Sequence, residues 1–329
     1  MSAGDSKKEA LFNEVKGSLF EFLIAKKIAV KNNDELGFLK SLDKNYLNVL
    51  GQQDRMVRQF YPEMLPFLDQ SAELTSHTIS DQYQGDLLHP KLMGKFSNSQ
   101  DLNDETDILL TSGGVEKKIS IKLNKKNSYV NTKSGGIKSF FHVYFPFLDP
   151  EVQTEFNKLV DFEFNRMALD VHEIHDLTYP GNFSVWVEKG FSELPGEVDD
   201  ASREVLHEYY SRISKAMHEI FITAMKQDRE AFKKSLAPLM GFTSTDIAQV
   251  ICFHDFKNKE SLPSIYVHEF AEIEKCLDEE KLLMEHQKAS VQIDFGPWSL
   301  QIRVKPMNKF TTTAIKINCS IKFKRPSVS

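Results

Sequence analysis

Near the start of the chain, Leu11, Val15, Leu19, Phe22 and Leu23 recur at helical spacing, and Phe20 and Ile24 crowd the same stripe. That period predicts a helix over residues 7–30. A second helix is predicted over 34–53 and a third over 53–69, the last broken by Pro62 and Pro66. Residues 71–106 are polar and carry no clear period. The period then changes to two. Ile108-Leu-Leu-Thr111, a Gly113-Gly114 turn and Lys118-Ile-Ser-Ile-Lys-Leu-Asn124 read as a β-hairpin. On its second strand Ile119, Ile121 and Leu123 point to a core, and Ser120, Lys122 and Asn124 share the opposite face. Residues 124–138, rich in Lys, Asn, Ser and Gly, read as a loop, and the aromatic run 140–147 as a core strand. Helices are predicted over 151–171 and 201–234, with a short strand over 182–191 behind the Pro180-Gly181 break. Residues 264–283 begin as a strand and turn into an acidic helix. The end is strand-rich, over 289–295, 298–304 and 311–323.

This order predicts an α/β fold: a mixed sheet flanked by helices, a helical insertion and a β-rich C-terminal segment. With 329 residues, 41% of them hydrophobic, the chain can bury one large core or two modest ones. Pro150 marks an expected boundary between 1–150 and 151–329. The polar start and the lack of an apolar run near ~20 residues predict a cytoplasmic protein with no membrane segment. Three widely spaced cysteines suit a reducing compartment and form no zinc pattern. His172-Glu-Ile-His175 could bring two imidazoles to one helix face, but it lacks the His-Glu-x-x-His spacing of a zinc helix.

The net charge of −6 argues against a polyanionic partner, and its distribution argues for one. Between Val115 and His142 stand seven lysines and one acid, Glu116. Beyond Asp294 there are no acids, while Arg303, Lys305, Lys309, Lys316, Lys322, Lys324 and Arg325 follow. From Glu260 to Glu285 eight acids face Lys275 and Lys281. A phosphate backbone answers to a local patch rather than to the total. Lys125, Lys126, Asn131 and Lys133 in the basic stretch, and Gln301, Arg303 and Lys305 near the end, are therefore candidate DNA contacts.

The hairpin carries the candidate chemistry. Asp107 precedes the first strand and Lys122 lies on the second, so the two can face each other. A carboxylate holds a divalent cation that acidifies water, and a lysine beside it orients that water and adds positive charge. This arrangement resembles the PD-(D/E)XK nuclease superfamily, whose motif runs Asp on one strand and acid-x-Lys on the next. Here the acid position is Ser120, so another carboxylate must complete the set. Glu21, isolated in Leu19-Phe-Glu-Phe-Leu-Ile-Ala25, is the candidate, on a helix similar to the glutamate-bearing helix of that superfamily; the alternative is a solvent-side glutamate. Ile119–Asn124 with Val130–Gly135, and Trp298–Arg303 with Ser320–Phe323, are similar to segments of restriction endonucleases of the HaeIII type. The resemblance implies a PD-(D/E)XK core in 1–150, a DNA-recognition region in 151–329 and cleavage of double-stranded DNA at a short symmetric site such as GGCC. It implies Mg2+ held by Asp107 and Glu21, water positioned or activated by Lys122, and Ser120 and Asn124 as supports of the metal ligands or as phosphate contacts. A homodimer and a cognate DNA methyltransferase are the implied partners. The rivals are a structure-specific nuclease of the same fold and a DNA-binding protein that has lost catalysis.

Overall fold

The computed structural model describes residues 3–83, 88–93, 105–255 and 261–324; Arg325 lies outside the described residues. In chain order the elements are α1 (Ala3–Lys31), α2 (Glu35–Ser41), α3 (Lys44–Phe60), α4 (Met64–Gln82), β1 (His89–Leu92), β2 (Ile108–Ser112), β3 (Val115–Lys125) and β4 (Val130–Gly136). After a 3-10 turn at Ile137–Ser139 come α5 (Phe140–Tyr144), α6 (Pro150–Ile174), α7 (Ser184–Glu188), α8 (Asp200–Gln227) and α9 (Arg229–Leu239). The chain ends with β5 (Ile247–His254), β6 (Ser264–Glu269), α10 (Phe270–Glu279), β7 (Leu283–Gln287), β8 (Ser290–Phe295), β9 (Trp298–Pro306) and β10 (Ile315–Phe323). The fold is mixed α/β, with two five-stranded sheets flanked by helices. Residues 1–128 with 242–273 form one compact unit, and 129–241 with 274–329 the other. Residue 150 therefore falls inside the second unit. Pro150 is the first residue of α6, whose first turn is capped by Asp149 accepting the Glu151 amide at 2.9 Å, so the proline starts a helix there.

The first unit is built on the sheet β1-β2-β3-β5-β6, parallel only between β3 and β5. The whole second half of the basic stretch and all of α5–α9 intervene in sequence between these two strands. Every residue of β5 is buried. Its run Ile-Ala-Gln-Val-Ile-Cys-Phe-His does not alternate, as suits a strand covered on both faces. The turn between β2 and β3 has Gly113 at φ 55° and Gly114 at φ 82°, left-handed conformations that glycine adopts without strain. Ile119 and Ile121 are buried with Ile108, Leu110, Val250 and Cys252 against Phe20, Ile24 and Ile28 of α1 and Leu68, Ala72 and Ile79 of α4. Leu123 packs at the margin of this core. α4 runs through residues 71–82, the first third of the stretch expected to be irregular over 71–106. Its buried Ser71, Thr75 and Ser76 hide the apolar stripe, and two of these hydroxyls are tied back to helix carbonyls.

The second unit holds the antiparallel sheet β4-β10-β9-β8-β7. Val291, Ile293, Leu300, Ile302, Ile317 and Cys319 make its buried apolar face. Residues 130–136 form the edge strand β4 rather than a loop. Val130 and Thr132 are buried and Asn131 is exposed, an alternation masked by the surrounding lysines and glycines. The run 140–147 is not a strand. Phe141 and Phe145 are one helical turn apart, and both rings meet Phe221, at 5.7 and 5.2 Å. Residues 184–188 are likewise helical, with Trp186 buried and its indole N–H donating to the Ser192 carbonyl at 3.0 Å. The helix expected over 201–234 divides at Asp228, which ends α8 and caps α9 by accepting the Ala231 amide at 2.9 Å.

Candidate functional site

The candidate chemistry gathers in the first unit around the end of the β2–β3 ladder. Asp107 sits one residue before β2. Its amide donates to the Ile119 carbonyl at 2.9 Å, and its carbonyl accepts the Met93 amide at 3.0 Å. Backbone bonds on both sides thus fix the residue between neighbouring strands. Its side chain extends the ladder, because Oδ2 accepts the Ile121 amide at 2.6 Å. The same oxygen lies 3.4 Å from the Ser120 hydroxyl, which is fully buried. Ser120 and Lys122 share a face of β3, and Asp107 is therefore on that face too.

Lys122 forms an ion pair with Glu105, a carboxylate absent from the expected set. Glu105 Oε2 stands 3.7 Å from Lys122 Nζ, with both side chains about one-fifth exposed. Glu105 and Asp107 are two residues apart just before β2, and the charges of both act on the Lys122 ammonium. The acid-x-acid pair was the available signal. Burial pulls the Lys122 pKa down, and the charges of Asp107, Glu105 and Glu21 outweigh it, leaving it above the ordinary lysine value. The ammonium is therefore charged at neutral pH. Burial raises the Asp107 pKa, with Lys122 and the Ile121 amide opposing and Glu105 reinforcing the rise.

Glu21 is half-buried on α1, and its charge reaches both Lys122 and Tyr46. Tyr46, on α3, is a second residue missed in the sequence. It is buried, and its phenol is held protonated well above the ordinary range by burial and by the charges of Glu21 and Asp107. A tyrosine within an amphipathic helix reads as core, and its polar tip gives no signal until the carboxylates are placed. Three carboxylates, one ammonium and a phenol thus act on one another here.

Asn124 is farther along the Lys122 face, with its amide donating to the Ser128 hydroxyl at 3.1 Å. Lys125 and Lys126 are exposed where β3 ends. The remaining candidates belong to the second unit. Gln301, Arg303 and Lys305 stand opposite Ser320, Asn318 and Lys316 on one face of β9–β10. Asn131 joins that face by accepting the Ser320 hydroxyl at 2.9 Å. Lys133 does not: it pairs with Cys319 and its charge acts on that buried thiol, so it belongs to the other face.

The two histidines of the His172-Glu-Ile-His175 pattern go separate ways. His172 is buried among the rings of Tyr179, Phe183 and Trp186, with Nδ1 donating to the Ala168 carbonyl at 2.7 Å. His175 Nε2 meets Asp199 at 3.0 Å and Ser202 at 2.9 Å, joining the end of α6 to the start of α8. A pocket of about 520 Å³ between α1, α3 and α4 is lined mainly by apolar side chains such as Leu19, Phe22, Leu23 and Leu50, and by none of the candidate residues.

Among the described residues no group of three or more His, Cys, Asp or Glu side chains is placed to hold a metal ion. The chemistry of the donors nonetheless suits a hard cation. Glu105 and Asp107 supply carboxylate oxygens, and magnesium commonly takes only one or two carboxylates beside water and substrate phosphate. Among the described residues no helix is long and apolar enough to cross a membrane. No protein-family model, curated protein or solved structure matches the chain.

Proposed function

We propose that the first unit is a magnesium-dependent endodeoxyribonuclease with a core of the PD-(D/E)XK kind. The observation that carries this reading is the Lys122 ammonium set among Glu105, Asp107 and Glu21 at the end of a hairpin ladder. The order of a hairpin, β2–β3, followed by a strand parallel to β3, is compatible with such a core. Glu105 and Asp107 would hold the cation, with Glu21 as the third carboxylate nearby. When bound, the cation acidifies water and steadies charge on the phosphoryl oxygens. A charged Lys122 would donate to the phosphate or to the attacking water. Asp107 is positioned by the Ile121 amide, and Ser120 supports it in place of an acid.

Duplex DNA is the proposed substrate, and cleavage at a defined symmetric site by a dimer is the proposed mode. The test is incubation of a supercoiled plasmid with the purified protein, with and without magnesium. Discrete magnesium-dependent products that vanish in Lys122→Ala, while that variant still retains DNA, support the reading. A smear assigns cutting without sequence readout. Wild type that binds DNA and leaves it intact with either magnesium or manganese overturns the nuclease. A second reading, a DNA-binding protein without catalysis, is favoured by buried Ser120 standing at the motif's acid position.

A further inference from the structure

We infer that the polar face of the second sheet is a contact surface for the phosphate backbone of duplex DNA, with Lys305 and Lys316 at its cationic end. The choice of DNA as partner rests on the reading above. The register of β9 against β10 sets Gln301 opposite Ser320, Arg303 opposite Asn318 and Lys305 opposite Lys316. Directly opposed residues share a face at about 5 Å between Cβ atoms, and like charges so placed repel. Arg303 is exposed, and Lys305 and Lys316 are half-buried. Burial and then the charges of Lys316 and Arg303 lower the Lys305 pKa, with no acid among the described residues opposing them. Elsewhere in this unit lysines meet acids directly, as in Lys138 with Asp161 at 2.7 Å and Lys233 with Glu230 at 3.1 Å.

The acids of this face lie on β7 and β8. Asp294 pairs with Ser299, and Glu285 pairs with Gln292, itself opposite Gln301. Charge therefore runs from the acids of β7 and β8 to the cations of β9 and β10, where exposed Lys322, opposite Ser299, lies in the row of Asp294. Beside Lys316 the partner residue is Gly136, where an added Cβ would meet nothing within 4 Å, so nothing crowds the cationic end from β4. Cations that meet no acid among the described residues, held by a sheet ladder, are complementary to a row of phosphates. The amides of Gln301 and Asn318 next to them can donate to phosphate or sugar oxygens, or read base edges. An extended ridge of this kind fits a polymer backbone rather than a single small anion.

The test measures fluorescence anisotropy of a labelled 20-base-pair duplex against salt, without divalent ions. Replacing two phosphate contacts lowers the steepness of log K against log salt by about 1.8. Lys305→Ala with Lys316→Ala is expected to show that drop and to bind more than tenfold weaker at 0.1 M salt. Lys305→Arg with Lys316→Arg keeps the charge and is expected to keep the slope. Relief of repulsion leaves the alanine variant with a melting temperature no lower than wild type. An alanine variant with the wild-type slope overturns the surface even if the wild type cuts plasmid. A wild type that never cuts but loses its slope on substitution keeps the surface and overturns the nuclease. Wild type without salt-sensitive duplex affinity overturns the surface.

Discussion

Glu105 and Lys122 form an ion pair at 3.7 Å with both side chains largely withdrawn from solvent. Neither residue owes this to its own strand alone. Glu105 precedes β2 and Lys122 lies in the second half of β3, so the Gly113-Gly114 turn is what brings them to one end of the ladder. Asp107, two residues from Glu105, is fixed by backbone bonds on both sides. The ammonium is held charged by acids from two separate stretches, α1 and the approach to β2.

Removing the ammonium isolates those acids. Lys122→Met should therefore cost about 3 kcal/mol at pH 7, the penalty of stranding a withdrawn charge. The sign of the pH dependence follows from Asp107, whose folded pKa is already above its unfolded value. A carboxyl raised on folding leaves the folded state holding more protons, so stability falls as pH rises from the unfolded to the folded pKa. The variant raises that folded value further, and its deficit should shrink toward pH 4.5. Urea denaturation at pH 4.5 and 7 decides the matter, and equal deficits at both would refute the arrangement. In the wild type, the raised Lys122 contributes stability present below the ordinary lysine value of 10.5 and lost as pH climbs through its higher folded value.

The hairpin and its alternation were legible because one face of β3 is apolar and the turn is glycine. Asp107 and Lys122 followed from that register. Glu105 was not selected because residues 71–106 gave no period to place it on a strand. Tyr46 looked like any other aromatic core residue. β5 was missed for the opposite reason: burial on both faces erases alternation. In the second unit, Thr311–Phe323 announced β10, but β4 did not, since its two buried residues are outnumbered by polar neighbours. Lys133 could not be assigned a face because the register shift at Cys319/Ser320 is invisible in the sequence.

The cysteines give a test of the buried cores. Burial pushes the Cys252 thiol up to about 12 and raises the Cys319 thiol as well, whereas Cys276 is only partly covered. The thiolate is the reactive species. At pH 8 a disulfide reagent should therefore titrate one thiol rapidly in the native protein and three in urea. Cys276→Ser should abolish the rapid phase. Three rapid thiols without denaturant would contradict the packing of both sheets.

Asp199 connects the second unit to acid. Its carboxylate is held at about 2, first by the Ser202 amide and hydroxyl, with His175 adding a smaller charge effect. Its folded pKa is lower than the ordinary 3.8, so its contribution is present above that value and fades as pH falls toward 2. Asp199→Ala removes the cap of α8 and should cost about 1 kcal/mol at pH 7. Asp199→Asn keeps an acceptor and should cost less. Between pH 4 and 2 the alanine variant should lose less stability than wild type, as followed by thermal melts. Parallel acid limbs would rule out the cap as the source of the shift.

The carboxylates around Lys122 differ in how they would act on a cation, and substitution can rank them. Glu105 and Asp107 lie two residues apart before β2, and both act on the lysine. Glu21 projects from α1 and acts on Lys122 less strongly than either. Glu105→Gln should therefore raise the magnesium concentration needed for half-maximal plasmid cleavage by at least tenfold, and lower the maximal rate by about 10²–10³, the scale for losing one preorganised electrostatic group. Glu21→Gln should shift the magnesium requirement less than Glu105→Gln does. Either variant leaves two carboxylates acting on Lys122, so melting temperatures are expected to fall less than in Lys122→Met. A magnesium titration of the two variants side by side gives the order. If Glu21→Gln raises the requirement more than Glu105→Gln, the cation sits toward α1, and Glu105 serves only to hold Lys122 in place.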